Sequence, residues 1–320
     1  MIDYGTNLEE LGLPIFLING FLQSGKTSFL TFTMNQEYFQ TAGRTLLIAC
    51  EEGELSYDEE LLTRTRTTLL QIDDISQISK EKILEYKEAY DPERILIEWN
   101  GMWNPTGLEI PDGFFINQQI TIIDTSTLDV YLKNMKPLFG PMLKNSELVI
   151  CNRADDIPEE MLSSFHLSLK AMANTGTIIF EGAEGEITGD FSIDLPYDIE
   201  SSHIDIEQGG FGIFYLDVMD RGQKYHDKEV TLIGQVLRPR SIPDNYFVIG
   251  RMAMTCCEAD MQFLGLLCIY ENSTQLKSRD WVKITARISY EENSAYDGEG
   301  PVLYVKEVEA TAPIESIILF

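Results

Sequence analysis

Basic side chains are scarce in this 320-residue chain: 24 Lys and Arg stand against 52 Asp and Glu, a formal charge of −28. That deficit argues against nucleic acid as a partner, because binding a phosphate backbone draws on cationic side chains that displace counterions. It disfavours an anionic membrane surface for the same reason, and the acidity itself reads as a well-hydrated exterior. Cysteine is sparse too. Cys50, Cys151, Cys256, Cys257 and Cys268 are odd in number and too few for a disulfide scaffold, so a reducing, cytoplasmic setting is expected. No apolar run reaches the length of a membrane span, and Met1-Ile2-Asp3-Tyr4 lacks the basic start of a secretory signal. Internal repeats and low-complexity tracts are also missing. What remains, at 44% hydrophobic content, suffices for a sizeable core and points to two domains rather than one.

The segment Gly20-Phe21-Leu22-Gln23-Ser24-Gly25-Lys26-Thr27 fits G-x-x-x-x-G-K-[ST], the phosphate-cradling P-loop. Its context agrees with its letters: Pro14 to Ile18 reads as a buried strand and Ser28 to Phe32 opens a helix. Glycines let successive backbone N–H groups turn inward around phosphates, and the helix N-terminus adds its positive dipole end. Lys26 is placed to reach the β- and γ-phosphates, and the Thr27 hydroxyl to hold Mg²⁺. A nucleoside triphosphate is therefore the expected ligand. Such a site needs only a local nest of N–H groups and one lysine, so it survives the acidic global field.

Downstream, short apolar runs at Thr45–Cys50, Arg94–Glu98, Gln119–Asp124, Glu147–Cys151 and Thr177–Phe180 read as strands. Helical spacing lies between them, over Asp58–Leu70, Lys80–Tyr90 and Pro158–Met172. This alternation predicts an α/β fold over residues 1–182, a parallel P-loop sheet with helices on both faces. Residues 183–210 carry eight acidic side chains and no Lys or Arg, and read as an acidic linker or an extended crossing segment. From Phe211 to Phe320 the periodicity changes to two. Strands at Val230–Leu237, Tyr246–Thr255, Phe263–Tyr270, Trp281–Ile288 and Pro301–Val305, with a short helix near Glu258–Gln262, predict a small all-β barrel of the OB type.

Two further segments sharpen the nucleotide reading. Asn152-Arg153-Ala154-Asp155 follows the fifth strand, where a guanine-reading N-K-x-D loop is expected. The Asp155 carboxylate can accept from the guanine N1–H and N2–H₂ edge, which adenine does not offer, and the Arg153 guanidinium can cover a base face. A plain helix-capping role for Asn152 or Asp155 is the alternative. The second segment is Ile97-Glu98-Trp99-Asn100-Gly101, ending a strand on an acid and a glycine. Glu98 suits Mg²⁺ or the attacking water, which makes Glu98 and Lys26 the candidate catalytic pair, and the Gly101 N–H can sense the γ-phosphate. Glu51, closing the second strand, is a further candidate for Mg²⁺ or simply part of a carboxylate-rich turn.

Gly20 through Thr27, Glu51 with Gly53, Glu98 to Pro105 and Asn152 to Asp155 together resemble the CobW-type GTPases, relatives of the GTPases that mature urease and hydrogenase. The resemblance spans about residues 12 to 182 and implies GTP and Mg²⁺ as cofactors, slow hydrolysis, and acceleration by a partner or by homodimer formation. Departures are plain. Cys50 stands for the usual Asn, Gln23 for a small residue and Arg153 for Lys. The family's C-x-C-C metal motif, expected between Glu54 and Arg94, is absent, so a metallochaperone role does not carry over to this G domain.

Residues 211–320 resemble something else, the soluble domain of a bacterial permease-subunit family of unknown function, through Phe247–Asp260, Trp281–Thr285 and Pro301–Leu303. Here Cys256 and Cys257, with Asp260 and with Cys268 or His226 to complete the set, form the one candidate Zn²⁺ site, or else are small buried hydrophobes. Two functions follow. One is a Mg²⁺-dependent GTPase that couples nucleotide state to the β domain or a protein partner in metal homeostasis or transport. The other is a non-hydrolysing nucleotide-binding module that docks on a membrane permease.

Overall fold

In the computed structural model, which describes residues 12–319 except 41–42, 54, 174–176, 190, 192–194, 208, 240–241, 255–260, 297 and 315–316, the chain divides into two compact units, Met1–Phe191 and Ser192–Phe320. The first is built on eight strands: β1 (Leu13–Asn19), β2 (Thr45–Ala49), β3 (Thr67–Gln71), β4 (Arg94–Glu98), β5 (Phe114–Asp124), β6 (Leu148–Asn152), β7 (Thr177–Gly182) and β8 (Gly185–Glu186). They lie in the order β3-β2-β4-β1-β5-β6-β7-β8, parallel throughout except for the antiparallel β7–β8 pair. β2 beyond Thr45 and the interior of β4 are apolar because a parallel sheet is buried on both faces, and every residue of β2 is buried.

Helices α1 (Lys26–Asn35), α2 (Glu37–Gln40) and α3 (Glu59–Arg64) pack through Leu30, Met34, Phe39 and Leu61 against Ile18, Leu47, Leu96 and Ile122 on one face. On the other, Ile83 of α4 (Lys80–Tyr90) meets Ile15, Leu17, Ile48 and Ile97. Helices α5 (Thr125–Asn134), α6 (Lys136–Leu143) and α7 (Glu159–Ala173) bury Leu128, Phe139, Phe165 and Leu169 against Ile123, Val149 and Cys151. Alternate residues of each strand serve the two faces, as the pleat requires. The helical spacing read over Asp58–Leu70 holds only to Arg64. Arg66 adopts a left-handed φ of 53°, which breaks the helix, and the β-branched pair Thr67-Thr68 then enters β3 beside β2.

The second unit contains β9 (His203–Asp205), α8 (Phe211–Asp220), β10 (Glu229–Leu237), β11 (Tyr246–Met254), β12 (Met261–Ile269), β13 (Trp281–Asn293), β14 (Gly298–Ala310) and β15 (Ile318–Leu319). The pairings run β10–β11–β12–β14–β13 and return to β10, with β12 and β14 parallel, so five strands close on themselves as an OB-type barrel. Its core gathers Val230, Leu232, Phe247, Ile249, Leu266, Cys268, Ile284 and Leu303. The period-two reading begins at Glu229, not at Phe211. Phe211, Phe214 and Val218 recur at helical spacing and place α8 on the barrel core. Of the helix expected near Glu258–Gln262, Met261 and Gln262 open β12 instead, and residues 258–260 lie outside the described residues. The acidic stretch 183–210 supplies β8 to the first sheet and β9, parallel to β10, to the second. Among the described residues no helix is long and apolar enough to cross a membrane.

Candidate nucleotide site

β1 delivers the chain into the loop Gly20–Gly25, and α1 begins at Lys26. Gly25 is the N-cap of α1 with φ 104°, a left-handed conformation that favours glycine, and a Cβ there would come within 2.7 Å of Asn152 Nδ2. No side chain caps this helix and its first turn holds no acidic residue. Its leading N–H groups are thus left to an anion, with the helix dipole behind them. Phe21 turns inward, its ring 4.4 Å from that of Tyr131 and 5.9 Å from that of Phe139, and so pins the loop to the core. Leu22 is exposed. Gln23 holds φ 64°, a conformation uncommon for a side-chain-bearing residue and frequent at ligand-cradling turns.

Lys26 is buried. Its Nζ donates to the carbonyls of Gly20 (2.8 Å) and Phe21 (3.0 Å) and forms an ion pair with Glu51. Thr27 Oγ1 donates to Glu98 Oε1 at 2.7 Å, although the two are 71 residues apart. The other carboxylate oxygen, Glu98 Oε2, accepts from the Tyr57 hydroxyl at 2.5 Å. Burial first, and the neighbouring Glu98 charge second, push the Tyr57 phenol well above its ordinary range, so it stays a donor. Glu98, only 4% exposed at the end of β4, is thereby set between two neutral hydroxyls. A hard oxygen donor set of this kind, hydroxyl beside carboxylate, is what a Mg²⁺ ion takes.

Beyond β4, Trp99 N–H donates to Ile18 O and Asn100 Nδ2 to Cys50 O, which ties this turn to both neighbouring strands. Gly101 follows, packed so closely that a Cβ would lie 2.5 Å from Gly20 O and 2.7 Å from Phe21 Cα. The expected γ-phosphate sensor and the first turn of the P-loop are therefore in direct backbone contact. On the other side, Asn152 Nδ2 donates to Ser24 O at 2.7 Å. Arg153, at φ 54°, donates to Gln23 O at 3.1 Å and pairs with Asp124. Asp155 accepts from Ala183 N–H at 2.8 Å.

Leu22, Gln23, Gly25, Lys26, Thr27, Ser28, Glu51, Glu98 and Arg153 line one open cleft. The fold thus gathers the P-loop, Glu51 and Glu98 from separate strand ends, and Asn152 meets the same loop. Beneath the same loop, Ser24 Oγ and Asn152 Oδ1 are buried without a hydrogen-bond partner among the described residues. The Ser24 hydroxyl can donate to a phosphate oxygen, whereas Asn152 Oδ1 only accepts and suits a donor such as a base N–H. Tyr57 and Asp124 escaped the sequence reading. Tyr57 has no motif around it, and Asp124 reads locally as the N-cap of α5, which it also is.

The candidate zinc residues fare differently. Cys256, Cys257 and Asp260 lie outside the described residues. Cys268 is in the barrel core, where burial holds its thiol well above the usual range, and His226 Nδ1 accepts from Tyr290 N–H. Among the described residues no group of three or more His, Cys, Asp and Glu gathers as a metal site.

Against known proteins, residues 14–180 match the CobW/HypB/UreG nucleotide-binding domain and residues 193–319 match the DUF1980 C-terminal domain. The chain is 22% identical over 183 residues to the zinc-regulated GTPase metalloprotein activator 1 of Schizosaccharomyces pombe, a match to 51% of this chain and 44% of that protein. It therefore spans less than half the length of that curated relative. Among solved structures, the hydrogenase maturation factor HypB of Archaeoglobus fulgidus aligns at 17% identity and a TM-score of 0.39, covering 55% of this chain and 85% of that one. HypB of Helicobacter pylori, solved in complex with nickel, aligns at 15% identity and a TM-score of 0.35, covering 55% and 81%. With the match over residues 14–180 taking in more than half its length, the chain belongs to the CobW/HypB/UreG nucleotide-binding domain family.

Proposed function

We propose that this chain binds GTP with Mg²⁺ in the cleft of its first unit and hydrolyses it slowly. The nucleotide state would act on the barrel or on a protein partner in metal homeostasis or transport. The observation that carries this reading is the Thr27–Glu98 pair beside a buried lysine and an uncapped helix start. In this reading Lys26 and the first N–H groups of α1 neutralise the β- and γ-phosphates. Thr27 and Glu98 hold the cation, which when bound draws charge from the phosphate oxygens. Gly101 N–H reads the γ-phosphate, Asn152 and Asp155 read guanine, and Glu51 is released from Lys26 to the cation side. The likeness to a protein named a zinc-regulated GTPase metalloprotein activator supports metal handling as the setting. Cys256 and Cys257 are the proposed zinc ligands of the second unit.

One observation favours the non-hydrolysing, permease-docking alternative. Both oxygens of Glu98 already accept a hydrogen bond, from Thr27 and from Tyr57, so a water oriented by Glu98 would compete with the cation for the lone pair left on each oxygen. A single experiment tests both readings. Fluorescent GTP is titrated into the wild-type chain and Lys26→Ala, and phosphate release is followed in the wild type and Glu98→Gln. Tight binding lost in Lys26→Ala, with slow release abolished in Glu98→Gln, is the expected result. Unchanged affinity in Lys26→Ala would sink the assignment, and binding without turnover would favour the module.

A further inference from the structure

Tyr57 lies 41 residues before Glu98, on the segment that joins β2 to α3, and belongs to no motif. Its ring is half-buried against the core that contains Leu30, Leu61 and Leu96, and its hydroxyl ends on Glu98 Oε2. The same segment begins with Glu51, held by Lys26, and includes Gly53, which lines the cleft. We propose that Tyr57 is a positioning residue of the magnesium corner: its hydroxyl fixes the Glu98 carboxylate so that Oε1 faces Thr27. This rests on the nucleotide reading above.

The physical argument is one of freedom and pairing. A glutamate has three rotatable side-chain bonds, and ordering it costs up to about 2 kcal/mol of rotamer freedom. One hydroxyl on each carboxylate oxygen sets both the position and the plane of the group, whereas Thr27 alone would leave it free to swing about a single contact. Thr27 can turn an oxygen lone pair to a cation only while its proton still has an acceptor, which is Glu98 Oε1. Removing the Tyr57 hydroxyl leaves Glu98 Oε2 buried without that donor, so the carboxylate rearranges and Thr27 loses its fixed acceptor. Phosphate contacts made by the loop and Lys26 do not pass through this bond.

The test uses the full chain and Tyr57→Phe, which keeps the ring. Affinity for fluorescent GTP is measured in EDTA and then as a function of Mg²⁺. The expected result is GTP affinity in EDTA within twofold of wild type, with the Mg²⁺ concentration for half-maximal effect raised about tenfold, the scale of a lost hydrogen bond to a charged group. In a Glu98→Gln background, Tyr57→Phe then adds no further change. An unchanged Mg²⁺ requirement overturns the proposal, and so does an equal loss with and without Mg²⁺, which marks Tyr57 as mere packing. Failure of the wild-type chain to bind GTP at all removes the nucleotide reading itself, and the proposal with it.

Discussion

Replacing Glu51 by Gln removes the carboxylate that Lys26 holds in the nucleotide-free site, and the two proposed roles of Glu51 give opposite outcomes. The pair is buried, with side chains 2% and 11% exposed. Breaking a buried pair by removing one partner costs about 3–5 kcal/mol, because the remaining charge is stranded. Lys26 keeps the Gly20 and Phe21 carbonyls, and Gln offers an amide oxygen, so the loss here should be nearer 2 kcal/mol. For a unit of this size that is about 4–8 °C in Tm. Phosphate oxygens replace the lost negative charge once nucleotide is bound, so the gap between variant and wild type should close when GTP is added. By linkage, GTP affinity in EDTA then rises by up to about thirtyfold. If Glu51 also takes part in holding Mg²⁺, the gain shrinks or reverses when Mg²⁺ is restored. Thermal scans and fluorescence titrations, each with and without Mg²⁺, read all of these. An equal drop in Tm with and without GTP, or no drop at all, would refute the reasoning.

Other consequences are as direct. Gly101→Ala drives a methyl into the Gly20 carbonyl and Phe21 Cα, backbone atoms that cannot yield cheaply, so both stability and GTP affinity should fall, the latter at least tenfold by titration. Asp155→Asn exchanges an acceptor for a donor at the proposed guanine edge. Competition assays should show guanine preference falling about a hundredfold and xanthosine triphosphate, which offers an acceptor there, gaining. Zinc content of the purified chain should drop by one equivalent in Cys256→Ser/Cys257→Ser, and identical metal content in both proteins would return the cysteines to the core.

Much of the first unit was legible because its signals are local. The apolar runs of β2 and β4 need only burial on both faces, and the spacing from Gly20 to Thr27 is fixed by phosphate geometry. Thr67–Gln71 was misread because amphipathic spacing runs on past Arg64, and only the left-handed turn at Arg66 stops the helix. Helices α5 and α6 went unread, the latter with Pro137 and Pro141 and a glycine within eight residues, a composition that argues for a loop until burial of Phe139 and Leu143 decides otherwise. Phe211–Asp220 failed for a related reason: almost every position is apolar, so period two and period 3.6 are hard to distinguish. In the site, residues named by motif were brought together, while Tyr57 was invisible because its partner is distant in sequence and the contact is made by the tip of a side chain. The pairing of Arg153 with Asp124 belongs to the same class.

The barrel closes unevenly. β11 pairs with β10 only at Gln235–Leu237, and the opening half of β10, Glu229–Thr231, is instead covered by the three residues His203–Asp205. That short strand acts as a stopper on an otherwise open seam. A fragment cut at Phe211 would keep all five barrel strands yet expose three consecutive residues of unpaired backbone, an invitation to strand exchange between molecules. Dissection of the second unit therefore has to begin upstream of Ser202, whose carbonyl already receives Glu229 N–H, within the acidic stretch that the sequence marks as a linker.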